Sequence, residues 1–375
     1  MKIVITGGHV TPALALIEKL QAMADVQIYF LGRKTAFEGD KSVSFEYQLI
    51  TQRGIPFLNV VTGRLQRRLS RYTLWSLAKI PVGFASAVWH LWRIWPDVVC
   101  SFGGYLSVPV CFWSWVLGIP VITHEQTTQA GLANRVNSFF ANVVAISYDS
   151  SARFFPRRKV VLTGNPVRQS LFRDAPRAKD LEQFFRENHD VPLVYITGGN
   201  QGSHAINQML FAIMPQLTKS VAVVHQCGTQ SATGDFSRAQ SQKESLPKEL
   251  ASRYFPVALV LDEDIGAVFH HARVVVSRAG ANIVAELALL GKRSILIPLP
   301  SASGQEQQHN AALLGQAGCA RIILEKDLTP TLLLEAIRQD SKLPQNDCAA
   351  RMSHLVVPDA AGRLARVVRQ LGNKS

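Results

Sequence analysis

Val4-Ile5-Thr6-Gly7-Gly8, near the start of the chain, is almost repeated as Tyr195-Ile196-Thr197-Gly198-Gly199 near its middle. Each is a short apolar run that stops at a glycine pair. Each leads into a helix-like rhythm, Pro12-Ala13-Leu14-Ala15-Leu16-Ile17 or Ala205-Ile206-Asn207-Gln208-Met209-Leu210. The pattern reads as a buried parallel strand, a tight turn and a helix N-terminus. Unpaired N–H groups and the helix dipole make such a turn an anion site. A single glycine pair is equally a plain strand-to-helix turn. Two copies about half a chain apart predict two nucleotide-fold domains facing a cleft that holds two substrates. Neither copy completes a Gly-x-Gly-x-x-Gly fingerprint and no Gly-Lys-Ser/Thr follows, so a dehydrogenase and a nucleotide triphosphatase are both weakly supported.

Outward from the repeat, strand and helix signals alternate. Strands are expected at 2–6, 26–31, 57–61, 98–101, 121–124, 143–146 and 160–163, with helices at 11–24, 73–93 (kinked at Pro81), 107–117 and 134–140. The second half repeats the alternation with strands at 193–197, 221–226, 258–261, 274–276, 294–298 and 320–324, and a short last helix at 364–371. Residues 228–246, rich in Ser, Gln and Thr, read as a loop or a frayed helix. The class is α/β, with mostly parallel sheets covered on both faces. A polar stretch at 173–190 marks the domain boundary.

A length of 375 residues suffices for two cores, and 47% hydrophobic with 18% charged residues is globular rather than disordered. Five cysteines without a Cys-x-x-Cys pair give neither a disulfide framework nor zinc spacing and suit a reducing cytoplasm. The chain opens directly on a strand, which leaves no room for a signal peptide. A net charge of +13 calls for an anionic partner: nucleic acid, an anionic membrane or an acidic substrate.

The distribution of charge helps to choose. From Arg64 to Trp95 there are six basic residues and no acidic one, and Trp75, Trp89, Trp92 and Trp95 lie among them. Cations beside tryptophans and aliphatics compose a membrane-surface helix. No stretch reaches the roughly 20 apolar residues of a spanning helix. The alternative is an amphipathic helix packed on a sheet, which is favoured for Val88, Trp89 and Trp92. Membrane contact is favoured for Leu69, Leu74, Trp75, Leu77 and Ile80, beside Arg67, Arg68 and Arg71. Nucleic acid is the weaker partner, because no aromatic recognition motif accompanies the charge.

The sharpest chemical segment is Ser277-Arg278-Ala279-Gly280-Ala281-Asn282-Ile283-Val284-Ala285-Glu286. A strand ends, Gly280 lets the backbone approach a ligand, and a helix begins. Glu286, a little over one turn in, can accept both hydrogen bonds of a ribose cis-diol; alone, it is equally an exposed helix carboxylate. The polar run 304–310 contains Gln307, suited to sugar hydroxyls or merely to a surface loop.

These segments together resemble the MurG family of N-acetylglucosaminyl transferases, which convert lipid I into lipid II in peptidoglycan synthesis. The resemblance covers nearly the whole chain. It is carried by Thr6-Gly7-Gly8-His9-Val10-Thr11-Pro12, Gly103-Gly104-Tyr105, His124-Glu125-Gln126, Gly131 with Asn134-Arg135, Gly164-Asn165-Pro166-Val167-Arg168, Gly198-Gly199-Asn200-Gln201-Gly202, 277–281 with Glu286, and Gln307 with Asn310, in the family's order.

The resemblance implies a GT-B fold: an acceptor- and membrane-binding domain at 1–168, a UDP-sugar domain at 169–350, and a helix at 351–375 packing back on the first. It implies that UDP-N-acetylglucosamine is held by Glu286 at the ribose and Gln307 at the sugar. Arg168, Gly199, Asn200, Gln201 and the Ala281 amide would meet the diphosphate, and the uracil would lie near 262–265. Thr6, Gly7, Gly8, His124 and Gln126 would line the site for undecaprenyl-linked lipid I. His9 and Glu125 would be catalytic, with His9 the first choice of base because histidine titrates near the operating pH. Arg67, Arg68, Arg71, Trp75 and Ile80 would dock on the cytoplasmic face of the plasma membrane.

No metal ligands and no obligatory cofactor are implied; no Asp-x-Asp metal motif stands out, and a divalent cation stays an open alternative. Other cell-wall enzymes are partners by resemblance only. Three departures stand out. Val4-Ile5 occupy the place of a first glycine pair, Asn200 replaces a serine, and Thr127 replaces an asparagine. A different lipid acceptor, or a catalytically silent nucleotide-sugar binding protein, are the competing readings.

Overall fold

A computed structural model describes residues 1–35, 44–60, 80–300, 305–344 and 347–373. The chain forms two compact units, Met1–Arg168 with Val357–Ser375, and Gln169–Val356.

In the first unit seven strands pair in parallel: β1 (Lys2–Thr6), β2 (Gln27–Gly32), β3 (Phe57–Asn59), β4 (Val98–Ser101), β5 (Val121–Glu125), β6 (Val143–Ile146) and β7 (Val160–Leu162). Their order is β3-β2-β1-β4-β5-β6-β7. Successive side chains of a strand face opposite ways. Ile3 and Ile5 therefore join Leu16, Ile17 and Phe30 on one face, where Leu364 and Val368 of the last helix, Ala360–Gly372, complete the layer. Val4 faces the other layer, with Leu91, Val99 and Val110. Both faces are covered, which is why β1 reads as a continuous apolar run.

The second unit has six parallel strands: β8 (Leu193–Thr197), β9 (Ala222–Gln226), β10 (Tyr254–Val257), β11 (Ala272–Ser277), β12 (Ser294–Leu296) and β13 (Ala320–Ile322). Their order is β10-β9-β8-β11-β12-β13. Val194 and Ile196 pack with Ile206, Leu210 and Met214 of the His204–Leu217 helix. This unit runs on to Val356, through the Cys348–Met352 helix, which packs on the Ala281–Leu289 helix. With the first unit it forms the pair of Rossmann-like sheets of a GT-B fold.

Each sheet reverses its order once, between β1 and β4 and between β8 and β11. Loops leaving the carboxyl ends at such a point diverge and open a crevice, the usual ligand place in an open α/β sheet. Both glycine pairs of the repeat leave from these points.

Three local expectations change. The strand expected at 258–261 is instead Tyr254–Val257. It is an edge strand anchored by the buried Tyr254, and an edge tolerates Pro256. The segment at 228–246 contains a full helix, Asp235–Ser245, with an acidic residue in its first turn. The polar stretch at 173–190 also holds a helix, Lys179–Glu187, which buries Leu181, Phe184 and Phe185 on one face and exposes charge on the other.

Candidate functional site

The first site is built from the turns after β1, β4 and β5. Gly7 takes φ +136°, and a Cβ there would lie 2.7 Å from the Phe102 backbone. Gly8 N–H donates to the Gly103 carbonyl at 3.0 Å. Gly103 and Gly104 take φ +73° and +80°, so two glycine turns interlock across the β1/β4 crevice. Val4 and Ile5 are fully buried inside β1, which leaves a turn of only Gly7-Gly8-His9.

His9 follows that turn, directly before the Val10–Gln21 helix. Its Nδ1 lies 3.0 Å from the Phe102 carbonyl. A carbonyl only accepts, so Nδ1 carries the hydrogen and Nε2 is left as the basic nitrogen. His124, in β5, is sealed: Nε2–H donates to Gly164 O at 3.0 Å, and Nδ1 accepts from Gln126 Nε2 at 3.2 Å. Burial pushes its pKa down to about 4, so it is a neutral imidazole that packs against the Phe102 ring. Two further groups at this end of the sheet, Thr6 Oγ1 and Gln126 Oε1, are buried without a hydrogen-bond partner among the described residues. Such groups carry a desolvation cost until something meets them.

Glu125, expected at the reacting centre, is occupied instead by its own loop. It is 2% exposed. Oε1 accepts from Thr127 N–H (3.0 Å) and Thr127 Oγ1 (2.8 Å). Oε2 accepts from Gly131 N–H (3.0 Å) and Asn134 Nδ2 (2.9 Å). Each of its oxygens accepts a backbone N–H of the following loop, so this carboxylate positions the 126–131 loop. No local pattern of residues signals this, or marks Asn134 as the hub that also binds Thr123 and the His124 carbonyl.

The second site lies at the β8/β11 crevice. Gly199 takes φ +87° with open space beside it, and its N–H donates to Thr197 Oγ1 at 3.0 Å. Gln226 braces the turn from β9, donating to Thr197 Oγ1 and the Gly199 carbonyl. Asn200 is held by its carbonyl, which accepts from Thr229 N–H, while Gln201 is exposed. The Ala281–Leu289 helix starts at Gly280, a cap without a side chain and with open space at its Cβ position. Glu286 lies in that helix and is 3% exposed. Gln307 Oε1 accepts from Ala279 N–H (3.2 Å) and Leu299 N–H (2.9 Å), tying two loops together and leaving its Nε2 to donate. Asn310 Nδ2 donates to the Ala279 carbonyl, while its buried Oδ1 has no partner among the described residues. Arg278 is anchored by Glu325 and the Ile297 carbonyl. Asp264 caps Arg177 N–H and Ala178 N–H, which fixes the 262–265 loop. Arg168 is the last residue of the first unit and half-buried. Sequence reasoning also missed a hydrogen-bonded pair at the start of the helix that follows the Gly199 turn, His204 with Asp235.

The expected membrane residues Arg67, Arg68, Arg71 and Trp75, with Leu69, Leu74 and Leu77, lie outside the described residues, and Ile80 is half-buried at the start of the Ile80–Ile94 helix. Trp89 and Trp92, expected to pack inward, instead point to solvent at 56% and 64% exposure, their ring centroids 6.1 Å apart and tilted by 35°. They sit one turn apart on the outer face, while Ala87 and Leu91 take the core. Trp115 and Phe139, on neighbouring helices, are also exposed, and Lys159 Nζ bonds the Ser138 and Phe139 carbonyls. No helix among the described residues is long and apolar enough to cross a membrane. Among the described residues, no group of three His, Cys, Asp or Glu is placed to hold a metal ion.

Residues 4–146 match the glycosyltransferase family 28 N-terminal domain and residues 193–364 its C-terminal domain. A protein of Treponema denticola named UDP-N-acetylglucosamine–N-acetylmuramyl-(pentapeptide) pyrophosphoryl-undecaprenol N-acetylglucosamine transferase is 34% identical, over 89% of this chain and 85% of its own. One of the same name from Thermoanaerobacter sp. is 31% identical, over 98% of this chain and 97% of its own. The crystal structure of Acinetobacter baumannii MurG superposes with a TM-score of 0.67 at 24% identity, over 98% of this chain and 99% of that one, and shares its fold.

Proposed function

The chain belongs to glycosyltransferase family 28, and from its relatives within that family we infer that it is the N-acetylglucosaminyl transferase that turns lipid I into lipid II. Similarity along nearly the whole chain to transferases of that name carries the reading. It is a hexosyltransferase of peptidoglycan synthesis, using UDP-N-acetylglucosamine as donor and undecaprenyl-linked lipid I as acceptor.

His9 supplies the base. Its Nε2 takes the proton of the muramyl 4-hydroxyl as that oxygen attacks the anomeric carbon of the donor sugar. The bond from that carbon to the β-phosphate oxygen breaks, the electron pair leaves with UDP, and configuration inverts. Phe102 O holds the ring in the required tautomer. Thr6, Gly7, Gly8, His124 and Gln126 form the acceptor site. On the donor side, Glu286 binds the ribose diol and Gln307 Nε2 a sugar hydroxyl. The Gly199 turn with Asn200 and Gln201, the Ala281 amide and Arg168 take the diphosphate, whose charge grows as the bond breaks.

The outward aromatic face of Trp89, Trp92, Trp115 and Phe139 docks the enzyme on the cytoplasmic leaflet. Its rings enter the headgroup layer and Lys159 meets anionic lipid. Transfer of labelled sugar from UDP-N-acetylglucosamine to a short-chain lipid I analogue is the test of the activity. UDP-sugar binding without any transfer would point to another acceptor or none. Replacing Trp89 and Trp92 with serine should reduce co-sedimentation with anionic vesicles; unchanged binding would move the anchor elsewhere.

A further inference from the structure

His204 is the first residue of the His204–Leu217 helix and directly follows the glycine turn of the second unit. The end of this 14-residue helix is built for a ligand it does not supply itself. Ser203, at the N-cap, makes no side-chain cap bond, and its buried Oγ has no partner among the described residues. Gly199, earlier in the turn, faces open space. Helix N–H groups without a cap attract an anion.

The His204 ring is held from behind. Nδ1 lies 2.8 Å from Asp235 Oδ1, so Nδ1–H donates to the carboxylate. Asp235 is itself buried and fixed: Asn207 Nδ2 donates to Oδ2 at 2.9 Å, and Gln208 Nε2 reaches Oδ1 at 3.4 Å. The same Asn207 amide donates to the Cys227 carbonyl at 2.9 Å, the carbonyl against which Gly202 packs too closely for any side chain. Asn207 Oδ1 accepts from His225 Nε2–H, and His225 Nδ1 accepts from Tyr254 O–H. His225 is fully buried, and burial pushes its pKa down to about 4, so it brings no charge to Asp235. The side chain that reaches Asp235 from the surface is the His204 imidazole. A chain of bonds from the core thus ends at one imidazole, whose other nitrogen belongs to a side chain 54% exposed.

A carboxylate behind one imidazole nitrogen fixes the ring and aims the other nitrogen, whose N–H can donate to a phosphate. We propose that His204, oriented by Asp235, binds the diphosphate of the UDP-sugar through Nε2–H, with Asp235 as its positioning residue. The proposal rests on the donor reading given above and adds an imidazole to it. A plain tie between two helices would need no exposed imidazole and no open N-cap beside it.

Calorimetric titration of the full chain with UDP, and with uridine as the phosphate-free control, tests it. His204→Ala should weaken UDP by about ten- to a hundredfold, the range of a charge-assisted bond, and leave uridine unchanged. His204→Lys should recover part of the loss. Asp235→Asn should weaken UDP in the parent but add nothing in the His204→Ala background, since both residues act through one contact. Equal UDP affinity in His204→Ala, or equal losses for UDP and uridine, would overturn the proposal. Additive losses would overturn the role of Asp235. A parent chain that binds no UDP would bring down the donor reading itself, a different failure from a parent that binds UDP without using His204.

Discussion

Replacing Glu125 by glutamine separates a carboxylate that holds a loop from one that takes a proton. The side chain keeps its shape, so the effect comes from exchanging one acceptor for a donor. With the new NH2 at the Oε2 position, it would face Gly131 N–H and Asn134 Nδ2, two donors. At the Oε1 position it would face Thr127 N–H and the Thr127 hydroxyl. That hydroxyl can turn to accept, because its hydrogen has a second acceptor in the Gln129 carbonyl at 2.5 Å. The second orientation wins and strands one buried backbone N–H. A stranded buried donor costs about 1–3 kcal/mol, and the remaining bonds lose their charge assistance, so the expected loss is about 2–4 kcal/mol. For a unit of this size that lowers the unfolding midpoint by about 5–10 °C. All six tryptophans lie within residues 75–115, so intrinsic fluorescence follows the first unit alone. The fluorescence midpoint should fall, while UDP binding by the second unit stays. An unchanged midpoint with transfer abolished would refute the assignment and return Glu125 to the reacting centre.

His9→Gln should lower transfer by about a hundred- to ten-thousandfold, the usual share of a general base, with UDP affinity retained in calorimetry; an active variant would place the base elsewhere. Glu46, in the Phe45–Gln52 helix, has a buried oxygen without a partner among the described residues, and burial raises its pKa from 4.5 to about 8 despite the nearby Arg33. Between those values the folded chain keeps a proton that the unfolded chain releases, so stability falls as pH rises through that window. Glu46→Gln should therefore raise the fluorescence midpoint near the top of the window and leave it alone near the bottom; a uniform shift would contradict the linkage. His124 works in the opposite sense, with its pKa lowered from 6.5 to about 4 by burial. Its neutral form stabilises the fold above 6.5, and that contribution drains away as pH falls toward 4. The acid side of the midpoint-versus-pH curve should flatten in His124→Gln, and an equally steep curve would assign the acid loss to other groups.

The glycine turns were legible because their constraint is local. An apolar run must stop where the backbone takes a positive φ and another backbone comes close, and Gly7 against Phe102 writes that requirement into a short stretch of chain. His9 shared in it by adjacency. The same logic explains the misreadings. Tyr254–Val257 carries Pro256, a sign against a strand unless its edge place in the sheet is known. Trp89 and Trp92 lie on a helix whose buried stripe is set by Ala87 and Leu91, and composition cannot show which way that stripe faces. Glu125 and Asp235 mark the deeper limit. Each is a carboxylate whose role depends on which donors reach it. For Asp235 the donors are His204 and Asn207, about thirty residues away in sequence, brought close only when the two helices pack. A carboxylate whose two oxygens both accept from its own loop is a strut, and one that holds an imidazole half in solvent is a positioning partner. That distinction is one of hydrogen-bond allocation, and it exists only once the sheets have assembled.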